Sequence, residues 1–258
     1  MVYQELASSP GLESAVACYW NFRLDPHDPS PLWHTIPPDG TVSIAWISPP
    51  GLAVLVGPRV EALRTEVHSG ILYAGVRLIP GAAASLLGLD VPKLRDGRFP
   101  LRDLADASAF EAAMRAIDPA DLASVAQSLS PVLRHWAANR ARPADEVVDL
   151  LIARMLAGTD GTIDQLTRGL GVSYRQALRR FHQATGLTPK EFVRLRRIRE
   201  ACVRALLDSP GAGWAGISAE TGFADQSHLS REFGRTFGWP PTLVHEYLRR
   251  IEHRGVKF

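Results

Sequence analysis

The pattern of apolar and polar positions divides the chain into two parts. In the first hundred residues, apolar and polar side chains alternate at period two, most clearly over residues 16–24, 41–48 and 71–79. Alternation rich in aromatic and β-branched residues is typical of half-buried strands, and Pro and Gly separate these runs as turns. We therefore expect an α+β protein in which residues 1–101 form an antiparallel sheet, curled toward a barrel, with short helices.

The same alternation predicts which side chains share a face of the sheet. Val16, Cys18, Trp20 and Phe22 are expected on one face of the first run. Aromatic walls with a convergent cation are the expected form of a small-molecule pocket. The candidates for such an effector pocket are Trp20, Trp46, Tyr73 and Arg77. For Arg77, pairing with a carboxylate is the competing interpretation.

From residue 102 onward, apolar residues recur at helical spacing. In the segment 102–142 these positions are Phe110, Met114, Ile117, Leu122, Val125, Leu129, Leu133 and Trp136. A helical connector of this kind is compatible with packing on the sheet or on a second copy of itself. Residues 139–143 are the expected boundary, and the region 143–258 is predicted to be entirely helical.

A sequence repeat marks this C-terminal region. The stretches 173–189 and 225–241 align at an offset of 52 residues. The aligned pairs are Arg179 with Arg231, Phe181 with Phe233, Gly186 with Gly238 and Pro189 with Pro241. Each copy starts with a residue that suits a helix N-cap and follows a short helical pattern. The repeat predicts two helix-turn-helix units, at about 162–184 and 214–236.

The run 190–207 between the two units is predicted to be one continuous helix. About 18 residues at ~1.5 Å each give ~27 Å, close to the ~34 Å between successive major grooves on one side of a duplex. Residues 159–258 also hold 16 Lys/Arg against 10 Asp/Glu, whereas residues 1–158 hold 13 against 17. A basic half that carries the repeat points to a polyanionic partner.

The polar faces of the two second helices are the expected base-reading surfaces. Their candidate side chains are Arg175, Gln176, Arg179, Gln226, Ser227, His228 and Arg231. Arg can bond a guanine edge bidentately, and Gln can do the same with adenine. An ordinary solvated helix face is the alternative for each. For Arg179 and Arg231, holding the fold or a phosphate is a further alternative.

Phosphate contacts are expected from a second group of residues, because phosphates supply most of the affinity in DNA binding. The candidates on the spacer helix are Arg194, Arg196, Arg197, Arg199 and Arg204. Ser173 and Asp225 are added because they cap helices whose N-termini favour a nearby phosphate, although their main role is structural.

The stretches GVSYRQALRRFHQATGLTPKEF and GFADQSHLSREFGRTFGWPPTLVHEY resemble the AraC/XylS-type transcriptional regulators. The resemblance covers residues 144–247. It implies two helix-turn-helix units joined by one long helix and inserted into consecutive major grooves. It also adds Leu178 to the base-reading positions, where a thymine methyl contact or packing would be its role. Residues 36–40 and 73–82 resemble an uncharacterised domain often attached to such regulators, which implies sensing or dimerisation.

Other chemistry finds little support in the sequence. Among His34, Asp39 and His68 no metal-ligand spacing occurs, so neither a metal nor another cofactor is expected. A rival interpretation is a DNA-targeted, self-methylating repair enzyme that uses Cys18, although no activating His or Arg is adjacent to it in the sequence. A third is a protein-only interaction scaffold with a DNA-binding domain.

We therefore expect a transcriptional regulator that is not an enzyme. Its expected partners are double-stranded DNA, a second copy of the chain as a homodimer, a small-molecule effector and RNA polymerase. Two cysteines without pairing signals, no evident signal peptide and no run of roughly 18–20 apolar residues favour a cytoplasmic protein without membrane contact. The effector, the operator and the direction of regulation are left open.

Overall fold

The computed structural model describes residues 1–103, 107–140, 143–157, 162–207 and 213–255. The strands in these residues are β1 Val2–Ala7, β2 Val16–Arg23, β3 Leu32–Ile36, β4 Ser43–Ser48, β5 Leu52–Val56, β6 Leu63–Val67, β7 Leu72–Leu78, β8 Arg98–Pro100 and β9 Glu252–Arg254. The α-helices are α1 Ala82–Leu87, α2 Ala107–Arg115, α3 Leu122–Arg140, α4 Glu146–Leu156, α5 Ile163–Thr167, α6 Tyr174–Thr185, α7 Pro189–Leu207, α8 Gly213–Glu220, α9 Gln226–Phe237 and α10 Pro241–Arg249. The boundary expected at residues 139–143 falls partly outside the described residues.

The N-terminal half is built on a seven-stranded sheet with the strand order β8-β5-β4-β7-β2-β1-β9. Neighbouring strands are antiparallel except for β9, which pairs parallel to β1 and comes from the C-terminal end of the chain. Strands β3 and β6 form a separate antiparallel pair. The α+β architecture expected from the sequence is therefore present, with the sheet joined to the last described strand of the helical half.

Helices α1 to α3 cover one face of the large sheet. Phe110 and Trp136 stack with their ring centroids 6.3 Å apart and share a core with Trp46. The hydroxyl groups of Tyr19 on β2 and Ser130 on α3 lie 2.9 Å apart. Of the two arrangements left open for the helical connector, packing on the sheet is the one found.

A β-bulge changes the facing of residues along β2. The register with β7 shifts between Val16 and Cys18. An extra residue in a strand moves the following side chains to the other face. Val16 therefore lies in the core beneath the helices, whereas Trp20 and Phe22 line the opposite face. The expectation that these side chains share one face is wrong for Val16.

The helical half shares its cores with the N-terminal half. Phe22 and Val67 of the sheets pack with Leu229 and Phe233 of α9 in one cluster. The first helix pair forms a second cluster around Phe181 with the end of α4. Helix α7 joins the two pairs and contributes to both clusters. None of the helices in the described residues is long and apolar enough to cross a membrane.

Candidate nucleic-acid interface

Helix α6 is fixed at both ends and along its back. The Ser173 hydroxyl accepts from the backbone N–H of Gln176 at 3.3 Å, and the Gln176 Oε1 accepts from the Ser173 N–H at 3.0 Å. This capping box satisfies two amides that the first turn leaves unpaired. Buried Ala177 and Phe181 hold the back of the helix. The helix ends at Gly186, whose φ of 71° favours glycine.

The outer face of α6 presents Arg175 and Arg179 to solvent. Neither makes a hydrogen bond or salt bridge within the part of the chain that the structure describes. Arg179 therefore does not hold the fold. Leu178 is half-buried beside it. Gln176 is exposed, but its amide oxygen is committed to the cap, so it can present only its NH2 group and not the bidentate pairing expected with adenine.

Helix α9 repeats this arrangement in the second unit. The Asp225 Oδ1 accepts from the His228 N–H at 2.6 Å, and buried Leu229 and Phe233 hold the back. The exposed side chains on the opposite face include Gln226, Ser227 and Arg231.

The ring of His228 is oriented by its neighbours. Its Nδ1 accepts from the Ala224 N–H at 3.3 Å, and the ring packs edge-on against Phe223 with centroids 5.4 Å apart. A neutral imidazole that accepts at Nδ1 carries its proton on Nε2. We infer this tautomer from the hydrogen bond, and it makes the Nε2, which lies 3.9 Å from the Glu232 Oε1, a donor toward an acceptor on a base edge.

The two cap residues do not fit phosphate contacts equally well. Ser173 is neutral, and its hydroxyl lies at a helix N-terminus where an anion is favoured. Asp225 is a carboxylate and would repel a phosphate, so its role is the cap of α9. We therefore withdraw Asp225 from the phosphate candidates.

The five arginines of the spacer helix α7 do not share one surface. Arg194 is largely buried, donates to the Val60 carbonyl at 3.2 Å and pairs with Glu232 at 3.3 Å. Arg204 pairs with Glu200 at 3.0 Å and with Glu220 at 2.9 Å. Arg194 is thus occupied inside the protein, and we withdraw it. The charge of Arg204 is offset by two carboxylates.

The remaining three spacer arginines point in two directions. Arg197 is exposed beside Gly222, where an added Cβ would lie 3.1 Å from the Arg197 Nε. Arg196 and Arg199 are half-buried and line a pocket against the N-terminal sheet. Arg197 therefore keeps the position expected of a phosphate contact, and the other two face the N-terminal half.

A cavity in the N-terminal half is lined by three of the four residues expected in an effector pocket. A cavity of about 460 Å³ lies between the large sheet and the β3–β6 pair, with mainly apolar walls that include Trp20, Tyr73 and Arg77. The indole N–H of Trp20 has no hydrogen-bond partner in the described residues. Trp46 is buried on the other face of the sheet, beneath the helices, so it does not belong to this pocket.

Arg77 is neutralised at one end of this cavity. Its guanidinium lies 2.7 Å from Glu5 and 2.7 Å from Asp39, and it donates to the Tyr3 hydroxyl at 3.0 Å. Burial alone would raise the pKa of Asp39, but Arg77, Arg199 and hydrogen bonds from Thr41 hold it below its usual value. Arg77 is thus paired with two buried carboxylates instead of being available as a cation for an anionic ligand.

Neither Cys18 nor His34 has the environment of a reactive group. Burial raises the pKa of the Cys18 thiol to about 12, although Arg77 acts in the opposite direction. Activated thiols have lowered pKa values, so Cys18 is unsuited to nucleophilic attack. Burial lowers the pKa of His34 to about 4. No group of three or more potential metal ligands occurs in the residues described.

The sequence matches known protein families in both halves. Residues 166–249 match a family described as a helix-turn-helix domain, and residues 4–100 match a domain of unknown function, DUF6597. Residues 166–249 are an AraC-type helix-turn-helix domain. The matched range includes α6, α7 and α9, with every base-reading candidate named above.

Curated relatives match about a third of the chain. The HTH-type transcriptional activator RhaS of Escherichia coli (strain K12 / DH10B) is 37% identical over 87 residues, which is 34% of this chain and 29% of RhaS. RhaS of Shigella boydii serotype 18 matches to the same extent. The chain therefore spans less than a third of the length of the curated relatives that it matches.

Among solved structures, a point variant of apo ToxT from Vibrio cholerae strain SCE256 aligns with a TM-score of 0.48 and 15% identity, covering 94% of this chain and all of that one. Wild-type ToxT from the same strain with a bound unsaturated fatty acid aligns with a TM-score of 0.46 and 14% identity, covering 86% and 94%.

Several residues that connect the two halves were not predicted. The Tyr247 hydroxyl lies 2.5 Å from the His34 Nδ1 and accepts from the Thr35 N–H at 2.8 Å. Arg95 pairs with Glu191 at 2.6 Å. Period and spacing report contacts within an element and carry no signal for such long-range pairs. Glu5 and Tyr3 are two residues apart in β1, and this spacing predicts that they share a face of the sheet. The spacing does not identify Arg77 as the residue that both contact.

Proposed function

We propose that the chain is a sequence-specific DNA-binding transcriptional regulator whose AraC-type domain reads two successive major grooves. The observation that carries the proposal is the pair of capped helices, α6 and α9, which present exposed polar faces and bury matching apolar backs. Helix α7 between them has 19 residues, or about 28 Å at 1.5 Å per residue. That length approaches the ~34 Å between successive grooves.

In this proposal the two helices have separate readers. Arg175 and Arg179 contact base edges in one groove, where Leu178 meets a thymine methyl. Gln226, Ser227, His228 and Arg231 contact the next groove, with the His228 Nε2 as a donor. Arg197 and the N-terminus of α6 hold phosphates. The support is that these groups are exposed, apart from the half-buried Leu178 and His228, and that Arg175, Arg179 and Arg231 form no hydrogen bond or salt bridge within the described ranges.

The cavity in the N-terminal half is the proposed effector site. At its polar end Arg77 is already paired with Glu5 and with Asp39, of which Asp39 lines the cavity, so this end offers no unpaired cation to a ligand carboxylate. An uncharged, largely apolar ligand with a hydrogen-bond acceptor for the Trp20 N–H fits these walls.

A connection from this cavity to the DNA-reading half runs through β3. His34 lines the cavity and contacts Tyr247 of α10. Arg64 of β6 lies 5.7 Å from the ring of Trp33 and 5.7 Å from that of Trp239, which follows α9. A ligand that displaces the β3–β6 pair therefore changes the contacts that hold the second helix pair against the N-terminal half.

Binding to selected DNA tests the main proposal. Sites enriched from genomic fragments would be measured by fluorescence anisotropy against random duplexes. Arg179→Ala should weaken the specific site by about ten- to a hundredfold, because a good bidentate pair contributes about 1–3 kcal/mol of discrimination. Random DNA should be bound almost as before. Arg23→Ala, at an exposed position of β2, is the control and should change neither affinity.

Two outcomes would contradict parts of this assignment. An equal loss on specific and random DNA would make Arg179 a phosphate contact. Failure to enrich any site, with a well-folded protein, would refute sequence-specific binding as a whole. The homodimer, the RNA polymerase contact and the cytoplasmic location stay predictions from the sequence, and sedimentation of the full chain with and without its site would test the first of them.

A further inference from the structure

Two arginines of α7 lie in a pocket between the two halves and form no hydrogen bond or salt bridge with the described residues. This pocket, hereafter the interdomain pocket, has a volume of about 220 Å³ and is lined by side chains of β1, β2, β7 and α7. Arg196 and Arg199 are half-buried in it. Neither forms a hydrogen bond or a salt bridge within the residues that the structure describes. Their charges are therefore balanced by no direct contact there.

The carboxylates of the pocket make their ion-pair contacts with Arg77, although the charge of Arg199 also acts on Asp39 and lowers its pKa. Arg77 occupies Glu5 and Asp39 through contacts of 2.7 Å each. The interdomain pocket thus contains three guanidinium groups and two carboxylates among the residues described, which leaves one positive charge in excess. Cys18 adds no negative charge, because burial raises its pKa to about 12.

The excess positive charge of Arg196 and Arg199 is energetically unfavourable when no anion lies between them. Burial lowers the pKa of Arg196, and the neighbouring charge of Arg199 lowers it further, while Glu200 acts in the opposite direction without reversing the shift. Two like charges, three residues apart on one helix face, repel each other, and withdrawing them from water without pairing is unfavourable. An anion placed between them would relieve both effects.

The remaining walls indicate the rest of the ligand. Leu156, Phe192 and Leu195 provide apolar surface beside the arginines. The volume of 220 Å³ lies below the roughly 300–1,000 Å³ of pockets for drug-sized ligands. The ligand is therefore small, with one anionic end and a short apolar body.

We propose that the interdomain pocket binds a small organic acid, with its carboxylate between the guanidinium groups of Arg196 and Arg199 and its apolar part against Leu156, Phe192 and Leu195. Guanidinium groups bind carboxylates through charge-assisted, often bidentate hydrogen bonds. Because the sheet and α7 both line this pocket, the bound acid stabilises their contact. This site adjoins the apolar cavity, with which it shares Asp39, Thr41 and Arg77, and it does not require DNA.

Thermal unfolding and calorimetric titration of the full chain test the site. The probes are benzoate, its uncharged isostere benzamide and inorganic phosphate, at constant ionic strength set with NaCl. Benzoate should raise the Tm in a saturable way, benzamide should not, and phosphate should act weakly because it lacks the apolar part. In the double variant R196Q/R199Q, benzoate affinity should fall by at least about tenfold, since two charge-assisted bonds are lost.

Matched variants keep the test interpretable. R197Q removes an arginine from the same helix but outside the pocket, and should retain the benzoate response. R196K/R199K keeps the charge without the bidentate geometry and should give an intermediate affinity, which matters if the double Gln variant unfolds. Equal responses of the wild type and R196Q/R199Q, or no benzoate response in the wild type, would overturn the proposal.

The competing occupant is a DNA phosphate. In that case R196Q/R199Q would reduce the slope of log K against log salt by about 1.8, since each phosphate contact contributes ~0.9. The organic-acid site predicts an unchanged slope for this double variant and a reduction of about 0.9 for R197Q. A reduced slope together with an unaffected benzoate response would assign the two arginines to DNA.

Discussion

Gly186→Ala should separate the cost of backbone conformation from the cost of docking between the halves. Gly186 ends α6 with a φ of 71°, and Gly238 ends α9 with a φ of 72°. An added Cβ at Gly186 would lie 3.0 Å from Cγ of Pro58 and 3.2 Å from the Val91 carbonyl oxygen. At Gly238 nothing in the described residues lies within 4 Å of the same position. The sequence repeat thus provides a matched pair of substitutions.

The expected magnitudes follow from these two environments. A left-handed conformation costs a residue with a Cβ about 1–2 kcal/mol, and this term applies to both variants. The gain from a stiffer unfolded chain is also common to both. Gly186→Ala additionally presses on a proline ring and a backbone carbonyl, which cannot rotate away, and such overpacking typically costs about 1–3 kcal/mol. We therefore expect Gly186→Ala to destabilise the chain by about 1–3 kcal/mol more than Gly238→Ala.

Urea unfolding of the full chain, followed by circular dichroism and tryptophan fluorescence, measures this difference. Coincidence of the two probes is required before a single free energy of unfolding is used. Hydrogen exchange adds a local test. The exchange rates of the α6 amides should increase in Gly186→Ala, and by more than those of the α9 amides increase in Gly238→Ala. Equal losses of stability in the two variants would show that the first unit is not docked on Pro58 and Val91.

Three further predictions concern buried polar and thiol groups. Tyr247→Phe should cost about 1–3 kcal/mol of unfolding free energy in urea titrations, because the Thr35 N–H and the His34 Nδ1 lose their partner. The folded pKa of His34, about 4, lies below the usual 6.5, so the unfolded chain takes up more protons between these values. Stability should therefore fall by up to about 3 kcal/mol from pH 6.5 to 4. His34→Asn, which keeps an acceptor near Nδ1, should flatten this dependence. Iodoacetamide should label Cys18 and Cys202 far more slowly in the native chain than in urea, since both are buried with pKa values of about 12, and rapid native labelling of Cys18 would contradict its burial.

The helices of the AraC-type domain could be predicted because their signals are local. A cap residue, an apolar residue every three or four positions and a glycine at the end together determine α6 and α9. The exposed positions of Arg179 and Arg231 follow from the same periodicity once Phe181 and Phe233 are assigned to the core. Local signals also predicted α7, which begins at Pro189.

Strand β3 could not be predicted, because its pattern is inverted. His34 and Thr35 are buried, whereas Trp33 is 57% exposed. Burial of the His34 ring is tolerated because Tyr247, more than two hundred residues away, bonds its Nδ1. Tyr247 also accepts from the backbone N–H of Thr35, whose hydroxyl has no partner in the described residues. The polar strand β9 gives no hydrophobic signal either, since its pairing with β1 is made through the backbone. Long-range partners of this kind leave no trace in a local pattern.

The face of a strand was less predictable than the strand itself. Alternation correctly places Trp46 on the opposite face of the sheet from the residues before and after it. Both faces of this sheet are covered, however, one by helices and the other by the β3–β6 pair. A buried aromatic residue is then equally consistent with either side, and only the register assigns Trp46 to the helical core. The bulge after Val16 limits the prediction in the same way. One extra residue in the strand moves the side chains that follow it to the face opposite to the one that period-two alternation predicts.

The contacts between the halves have a consequence for how the AraC-type domain is held. Gly40, with a φ of 69°, lets its loop approach Leu187 and Leu195, where an added Cβ would lie 2.8 Å and 3.2 Å from their methyl groups. Gly186 allows the equivalent approach on the first unit. The second unit has no such close approach at Gly238 within the described residues and is held instead by Tyr247 and by β9. Close steric fit therefore contributes to holding the first unit and the spacer helix, whereas hydrogen bonds to the β3 wall of the cavity contribute to holding the second. A change in that wall should act first on the second unit.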